Sequence, residues 1–260
     1  MDGMYTLSGF LVGLIVGVTG VGGGSLMTPL LVLLFGISPA TAVGTDLLYA
    51  SLTKTLGGWV HARRGTVDWK IVGLLGLGSL PAAVVTIALL KYLALDKKTL
   101  SSLVTGVLSV ALILTAAALL LKSRIRKLAQ REDGTIFELH HRHLPAATII
   151  TGALLGIMVT ISSVGAGALG MVVLLFLYPR HTPAKLVGTD IAHAVPLTAV
   201  AGMGHLALGT VDIVLLGSLL LGSLPGIYIG SHLSSKMPDG ALRPVLATML
   251  LVIGFKMVFI

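Results

Sequence analysis

The chain contains no cysteine and few charged side chains. The missing thiols exclude disulfide bonds, thiolate metal sites, iron–sulfur clusters and cysteine nucleophiles. Only 11% of the 260 residues are charged, whereas 55% are hydrophobic and the mean hydropathy is +1.00. A soluble domain of this size needs far more polar surface. The composition therefore predicts an integral membrane protein.

Signatures of common enzymes are also missing. No Gly-Lys-Ser/Thr follows Gly20–Ser25, as it would in a phosphate-binding loop, and neither Gly-x-Ser-x-Gly nor His-Glu-x-x-His occurs. An intramembrane hydrolase would need a nucleophile with a positioned base, for which His193 with Ser162 or Ser163 is the one candidate. We expect no enzyme, no cofactor and no metal site.

The basic residues are distributed as topology signals. The formal net charge is +8, but these residues lie in short connections between apolar runs and not on one amphipathic face. Apolar runs long enough to cross a hydrocarbon core of about 30 Å recur along the whole chain. We therefore expect the lipid bilayer and a small anionic substrate as partners, and no nucleic acid.

The two halves of the chain repeat each other. At an offset of 144 residues, Gly-Thr-Asp recurs at 44–46 and 188–190, Gly-Thr-Val-Asp at 65–68 and 209–212, and Gly-Ser-Leu-Pro at 78–81 and 222–225. Chance does not produce three such matches in register. We predict a first transmembrane repeat at residues 1–121, a basic connection at 122–143 and a second transmembrane repeat at 144–260.

Each repeat contains four apolar segments, of which the second to fourth have the length of single helical spans. These spans are 39–62, 69–92 and 98–121 in the first repeat, and 183–207, 212–235 and 239–260 in the second. Ser38-Pro39 and Thr182-Pro183 have the pattern of an N-cap followed by proline at the first helical position. Both second segments should begin there.

The first segment of each repeat is different. Residues 5–36 and 145–178 are too long for upright spans, and each is interrupted near its middle, by Gly20–Gly24 and by Gly165–Gly167. Glycine disfavours a helix by about 1 kcal/mol per residue relative to alanine. We therefore interpret each first segment as a re-entrant hairpin of two half-helices that meet at a glycine tip.

The Lys and Arg residues support the hairpins. If both hairpins return to the face where they start, 13 basic residues lie on one face and only Lys91, Lys97 and Lys98 on the other. If every segment crosses the membrane, the basic residues divide 9 to 7 between the two faces, which favours neither orientation of the protein. The sequence predicts an all-α protein of two inverted repeats in the plasma membrane, with a cytoplasmic connection and both termini outside. The oligomeric state stays open, and a homodimer is one arrangement.

The glycine tips are candidate substrate sites. Inverted repeats with broken helices are typical of secondary transporters, whose substrate lies near the midplane. A helix starts after each tip, at Ser25 and at Ala168, so unpaired N–H groups would attract an anion. The tip candidates are Gly22, Gly23, Gly24, Ser25, Ser162, Ser163, Gly165 and Gly167. Alternatively, these glycines only allow close helix packing.

The second segments carry polar side chains within the span. The candidates are Thr45, Asp46, Tyr49 and Lys54 in the first repeat and Thr189, Asp190 and His193 in the second. Ionisable groups inside a membrane usually face a cavity or a partner. Lys54 can neutralise Asp46 or contact an anion, whereas Asp46 and Asp190 are either coupling residues or structural acceptors of hydrogen bonds. His193 is either a proton carrier or a core histidine.

The duplicated motifs resemble a known family. The chain resembles the sulfite exporter TauE/SafE family over essentially its full length. The resemblance rests on Gly22-Gly23-Gly24 followed by Pro29, and then on Ala42-Val43-Gly44-Thr45, with the set repeated in the second half. The resemblance implies efflux of sulfite or of an organosulfonate such as sulfoacetate. The second tip departs from the pattern at Ala166 and at Val172, which stands in the place of Pro29.

Taken together, these features predict a secondary transporter that exports a small sulfur-containing anion by alternating access. A passive anion channel and an importer of another small anion are the alternatives. The carboxylates of Asp46 and Asp190 follow Gly-Thr where the family often has a small hydroxyl residue, and this leaves the identity of the anion open.

Overall fold

The computed structural model describes residues 3–19, 24–129, 135–234 and 239–258, and all regular secondary structure in these ranges is helical. The helices are α1 (Gly3–Thr19), α2 (Gly24–Phe35), α3 (Pro39–Arg63), α4 (Trp69–Leu93), α5 (Lys97–Ala129), α6 (Thr135–Ser162), α7 (Ala168–Leu177), α8 (Pro183–Ala207), α9 (Ile213–Ser234) and α10 (Asp239–Val258). The all-α prediction is confirmed.

The starts of α3 and α8 follow from their local sequence. The Ser38 side chain accepts a hydrogen bond from the Thr41 N–H at 3.4 Å, and Thr182 accepts one from the Lys185 N–H at 3.3 Å. A proline follows each cap at the start of the helix. The proline lacks an N–H, but the first N–H groups of a helix have no partner within the helix, so no hydrogen bond is lost. Both N-cap predictions are confirmed.

Five helices in the described part of the chain are long and apolar enough to cross a membrane. They are Trp69–Leu93, Lys97–Lys122, His143–Ser162, Pro183–Ala207 and Ile213–Gly230. Helix α3 has 25 residues but carries several polar side chains. The connection predicted at 122–143 is largely helical, because α5 continues to Ala129 and α6 begins at Thr135, while residues 130–134 lie outside the described ranges.

Both first segments are broken at their glycine-rich stretches. In the first repeat α1 ends at Thr19 and α2 begins at Gly24, with residues 20–23 outside the described ranges. In the second repeat Gly165 and Gly167 have φ angles of +127° and +138°, which residues with a Cβ rarely adopt. The glycines therefore end α6 and let α7 start in a new direction.

The two ends of each first segment lie close together. The rings of Tyr5 near the start of α1 and Phe35 at the end of α2 lie 4.9 Å apart. The corresponding contact in the second repeat is a 2.7 Å hydrogen bond between the hydroxyls of Thr148 in α6 and Tyr178 after α7. The outer ends of both helix pairs are thus held together.

The two repeats exchange their first helices. Gly9 and Gly13 of α1 lie against the backbone of Leu219 and Ser223 of α9. In the same way, Gly152 and Gly156 of α6 lie against the backbone at positions 75 and 79 of α4. Residue numbers rise together in both contacts, so each pair is parallel. Small residues allow this close backbone approach.

Helices α3 and α8 cross at the centre in antiparallel orientation. Gly44 of α3 lies against His205 and Thr210, which stand at the end of α8 and just after it. Its repeat equivalent, Gly188, lies against His61 and Thr66. The two contacts are related by the 144-residue offset.

The outward surface is apolar. Large side chains such as Leu77, Val85, Leu154 and Val252 are more than half exposed. The buried core contains Met27, Leu31, Leu108, Leu112 and Leu219 from both repeats. Many exposed large apolar side chains around a core that also contains buried polar groups are expected of a protein surrounded by lipid.

Candidate functional site

Asp46 lies fully buried where the two repeats meet. Its Oδ2 accepts hydrogen bonds from Thr28 Oγ1 of α2 at 2.5 Å and from Ser163 Oγ, after α6, at 3.0 Å. Ser163 has a φ of +59°, which is uncommon for a residue other than glycine and aims its hydroxyl at this carboxylate. The other oxygen, Oδ1, has no partner among the described groups.

Lys54 connects α3 to the glycine tip of the second repeat. Its ammonium donates a 2.7 Å hydrogen bond to the carbonyl of Ala166, between Gly165 and Gly167. Gly167 is the N-cap of α7 and has no side chain that could cap the first N–H groups of that helix. A positive side chain therefore lies at the positive end of a helix.

Asp190 is the repeat equivalent of Asp46 but has different surroundings. It is 2% exposed, and its Oδ1 has no hydrogen-bond partner in the described part of the chain. Gly170 of α7 packs so closely against this carboxylate that a Cβ atom there would overlap Oδ1. Lys54 interacts electrostatically with both Asp190 and Asp46. One lysine is thus shared by two carboxylates.

Tyr49 and His193 form a second repeat-related pair. His193 Nε2 is 2.8 Å from the Ser79 hydroxyl, while Nδ1 is buried without a partner in the described residues. The Tyr49 hydroxyl lies beside the hydroxyl of Ser223, the equivalent of Ser79. Unpaired buried polar atoms are rare and need an explanation, such as a ligand.

The hydroxyls of Thr45 and Thr189, which the sequence predicts as donors to a substrate, are bonded to the backbone of the other repeat. The Thr45 hydroxyl accepts a 3.0 Å hydrogen bond from the Asp212 N–H, and Thr189 accepts one of 2.9 Å from the Asp68 N–H. Each threonine therefore contacts the chain just before a helix of the other repeat. Both hydroxyls tie the repeats together.

The tip candidates are only partly brought together. The Ser163 hydroxyl points at Asp46, whereas Ser162 bonds to the backbone of Met158 and Val164. Ser25 is buried in the first turn of α2, which begins at Gly24. Gly22 and Gly23 lie outside the described residues.

Three contributors to the cluster are not singled out by the sequence. These are Thr28, Ser79 and Ser223. Ser79 and Ser223 belong to the duplicated Gly-Ser-Leu-Pro motif, so duplication of a serine within a span is the signal that identifies them. Thr28 has no such signal. We define the central cluster as Thr28, Asp46, Tyr49, Lys54, Ser79, Ser163, Asp190, His193 and Ser223.

Asp68 forms a separate ionic contact between the repeats. Its Oδ2 is 3.0 Å from Lys185 Nζ and 3.1 Å from His181 Nε2. Partial burial raises the pKa of Asp68, but the hydrogen bonds from Lys185 and His181 outweigh it and hold the pKa at about 2, below the ordinary 3.8. Asp68 is therefore charged at neutral pH and joins the start of α4 to the start of α8.

This contact predicts an acid-sensitive part of the stability. Because the pKa of Asp68 is lower in the folded protein, its contribution is full above about pH 4 and is lost as the pH falls toward about 2. The melting temperature of Asp68→Asn in detergent should be below that of the unmodified protein at pH 7, and the difference should vanish near pH 2. Asp212→Asn is the repeat-related control. A gap that persists at low pH would contradict the ionic contact.

Among the described residues, no group of three histidine, aspartate or glutamate side chains is placed to hold a metal ion. The polar atoms of the central cluster are carboxylate, hydroxyl, imidazole and ammonium groups around the interface of the repeats. They can bind a small polar solute or a proton.

Comparison with known proteins identifies the family. The family model described as "Sulfite exporter TauE/SafE" matches residues 5–257. The chain is 37% identical to "Probable membrane transporter protein YjnA" of Bacillus subtilis (strain 168) over 97% of this chain and 98% of that protein. It is 25% identical to "Probable membrane transporter protein MJ0441" of Methanocaldococcus jannaschii, over 98% and 94%. No solved structure matches significantly. The match along nearly the whole chain, with the helical architecture, shows that this protein is a membrane transporter, not an enzyme, and belongs to the TauE/SafE family.

Proposed function

We propose that the protein exports a small sulfur-containing anion, sulfite or an organosulfonate such as sulfoacetate, across the plasma membrane. The observation that carries the proposal is the position of Lys54, whose ammonium lies at the start of α7 beside Gly167. A helix N-terminus favours anions through its dipole and unpaired N–H groups. Lysine and the helix end together offer a positive site inside an apolar protein.

The same site contains groups that can orient an oxyanion. The hydroxyls of Tyr49 and Ser223 are buried beside each other, and one nitrogen of His193 is buried without a partner among the described residues. They belong to both repeats, so relative movement of the repeats would expose the site to each side in turn. This arrangement supports alternating access about the midplane.

The contacts at the outer ends support re-entrant hairpins and inverted repeats. Tyr5 with Phe35 and Thr148 with Tyr178 would return each first segment to the face where it begins. The antiparallel crossing of α3 and α8 agrees with this arrangement. The connection at 122–143 would then be cytoplasmic, since the basic residues collect on its face.

Single-cysteine labelling tests this topology. Because the chain has no cysteine, Ala62→Cys and His181→Cys each introduce a unique thiol. Inverted repeats predict that both react with a membrane-impermeant maleimide only in inside-out vesicles. If every segment crosses instead, the two thiols should react from opposite sides.

Flux into and out of proteoliposomes tests the transported species. We expect saturable efflux of labelled sulfite or sulfoacetate, accelerated by an interior-negative potential that supplies about 2.3 kcal/mol per charge per 100 mV. Lys54→Gln should reduce the initial rate by about tenfold or more, because a hydrogen bond to a charged group contributes about 1.5–3 kcal/mol. The exposed Lys91→Gln is the control and should leave the rate unchanged.

The alternatives have distinct outcomes in the same assay. Flux that does not saturate and shows no stimulation by unlabelled anion on the far side would indicate a channel. Absence of flux with both anions, in protein shown to be folded, would mean that another substrate is carried.

A further inference from the structure

The charges of the central cluster do not balance. Lys54 is the one cation near Asp46 and Asp190 among the described side chains. Thr198 stands at the repeat equivalent of Lys54, so the second repeat brings no lysine of its own. With both carboxylates ionised the cluster carries one net negative charge, which is unfavourable in a buried site and would repel an anion. Binding one proton makes the cluster neutral.

The two carboxylates are not equivalent acceptors for that proton. The surroundings of Asp46 favour its charged form, because the hydroxyls of Thr28 and Ser163 both donate hydrogen bonds to its Oδ2. For Asp190, the one polar interaction found in the described part of the chain is with Lys54, and its Oδ1 has no hydrogen-bond partner there and lies beside Gly170. Hydrogen bonds favour the charged form of a carboxylate, and their absence favours the neutral acid. The proton should therefore reside on Asp190.

From this asymmetry we propose that Asp190 binds one proton together with the transported anion, so that anion and proton cross in the same direction. This rests on the proposed anion transport. An O–H bond forms at Asp190 with a proton from water on the loading side, and it breaks on the opposite side as the anion leaves. A dianion such as sulfoacetate then carries one net negative charge outward.

Other ionisable groups near Asp190 are accounted for. From α3, Lys54, Asp46 and Tyr49 face the cluster, and His61 is bonded to Thr66 farther along the helix. On α8 itself, His193 is bonded to Ser79 and is the competing proton acceptor. Helix α7 has no ionisable side chain, those of α4 lie at its ends, and the described side chains of α6 include only His143 at the beginning of its span.

The pH dependence of sulfoacetate binding tests the proposal. Sulfoacetate is the suitable probe because its own acid groups stay ionised between about pH 5 and pH 9. Affinity of the unmodified protein, measured by titration calorimetry, should fall about tenfold per pH unit on the alkaline side, as expected for one linked proton. In Asp190→Asn the affinity should change less than about twofold over the range. His193→Gln removes the competing proton acceptor; its affinity should be lower at every pH because His193 lines the site, but the tenfold slope should remain.

The possible results separate the two proposals. Saturable binding that is independent of pH in the unmodified protein, or a slope lost in His193→Gln and kept in Asp190→Asn, would overturn the role of Asp190. Absence of sulfoacetate and sulfite binding at every pH would instead overturn the proposed anion transport and this inference with it.

A spectroscopic readout does not depend on binding. The infrared band of a protonated carboxylic acid should grow in the substrate-free protein as the pH is lowered, and it should be missing in Asp190→Asn. Asp46→Asn should keep the band. A band that is lost in Asp46→Asn and retained in Asp190→Asn would show that the proton resides on Asp46, and this would refute the proposal.

Discussion

Replacing Asp46 by leucine should largely abolish recovery of folded protein. The substitution removes the acceptor of both the Thr28 and the Ser163 hydroxyls and one of the two carboxyl groups that interact with Lys54. Breaking a buried charged contact by removing one partner typically costs about 3–5 kcal/mol. That is a large part of the about 5–15 kcal/mol that keeps a typical protein folded.

The matched comparison is Asp190→Leu. Asp190 has the same position in its repeat, but the Thr28 and Ser163 hydroxyls are bonded to Asp46, so replacement of Asp190 should be tolerated better. The melting temperature and the monodisperse fraction in detergent should both be lower for Asp46→Leu. Equal losses in the two variants would show that the repeat position, and not the hydrogen bonds, decides the role of the carboxylate.

Gly78→Ala and Gly222→Ala should each destabilise the fold strongly. A Cβ atom on Gly78 would overlap the carbonyl oxygen of Ile149, and one on Gly222 would overlap that of Thr6. Both neighbours are backbone atoms of a packed helix, which cannot rotate away as a side chain can. Inserting a methyl group into such a contact costs about 1–3 kcal/mol.

Gly73→Ala is the control on the same helix as Gly78. No atom lies within 4 Å of a Cβ placed at Gly73, so alanine should be neutral or stabilise α4 by up to about 1 kcal/mol. Thermal unfolding of the detergent-solubilised variants measures the difference. Similar melting temperatures for Gly73→Ala and Gly78→Ala would contradict the close packing of α4 on α6.

The sequence predicts the order of helices well because the decisive signals are local. Pro39 and Pro183 after hydroxyl caps place the starts of α3 and α8, and Gly165 and Gly167 place the break in the second repeat. Each of these depends on the conformation of a few neighbouring residues. The sequence does not predict the continuation of α5 beyond its apolar part, because a polar sequence is compatible with both a helix and a loop.

The site is predicted less completely because its contacts lie between distant parts of the chain. The repeat correctly relates Asp46 to Asp190 and Tyr49 to His193, but it treats the members of each pair as equal. Their neighbours differ, since Thr28 and Ser163 reach only Asp46. Likewise, the sequence gives Thr45 and Thr189 as hydroxyl donors without indicating that Asp212 and Asp68 already use their oxygens.

The exchange of first helices between the repeats determines when the molecule can be completed during synthesis. Helix α1 leaves the ribosome long before α9, because Gly9 and its contact Leu219 are more than 200 residues apart. At about 5–20 residues per second, α1 must wait about ten seconds or longer for α9. During that time its glycine face remains in contact with lipid or with the insertion machinery. A chain cut within 122–143 should therefore yield two fragments that are each short-lived alone and stable only when made together.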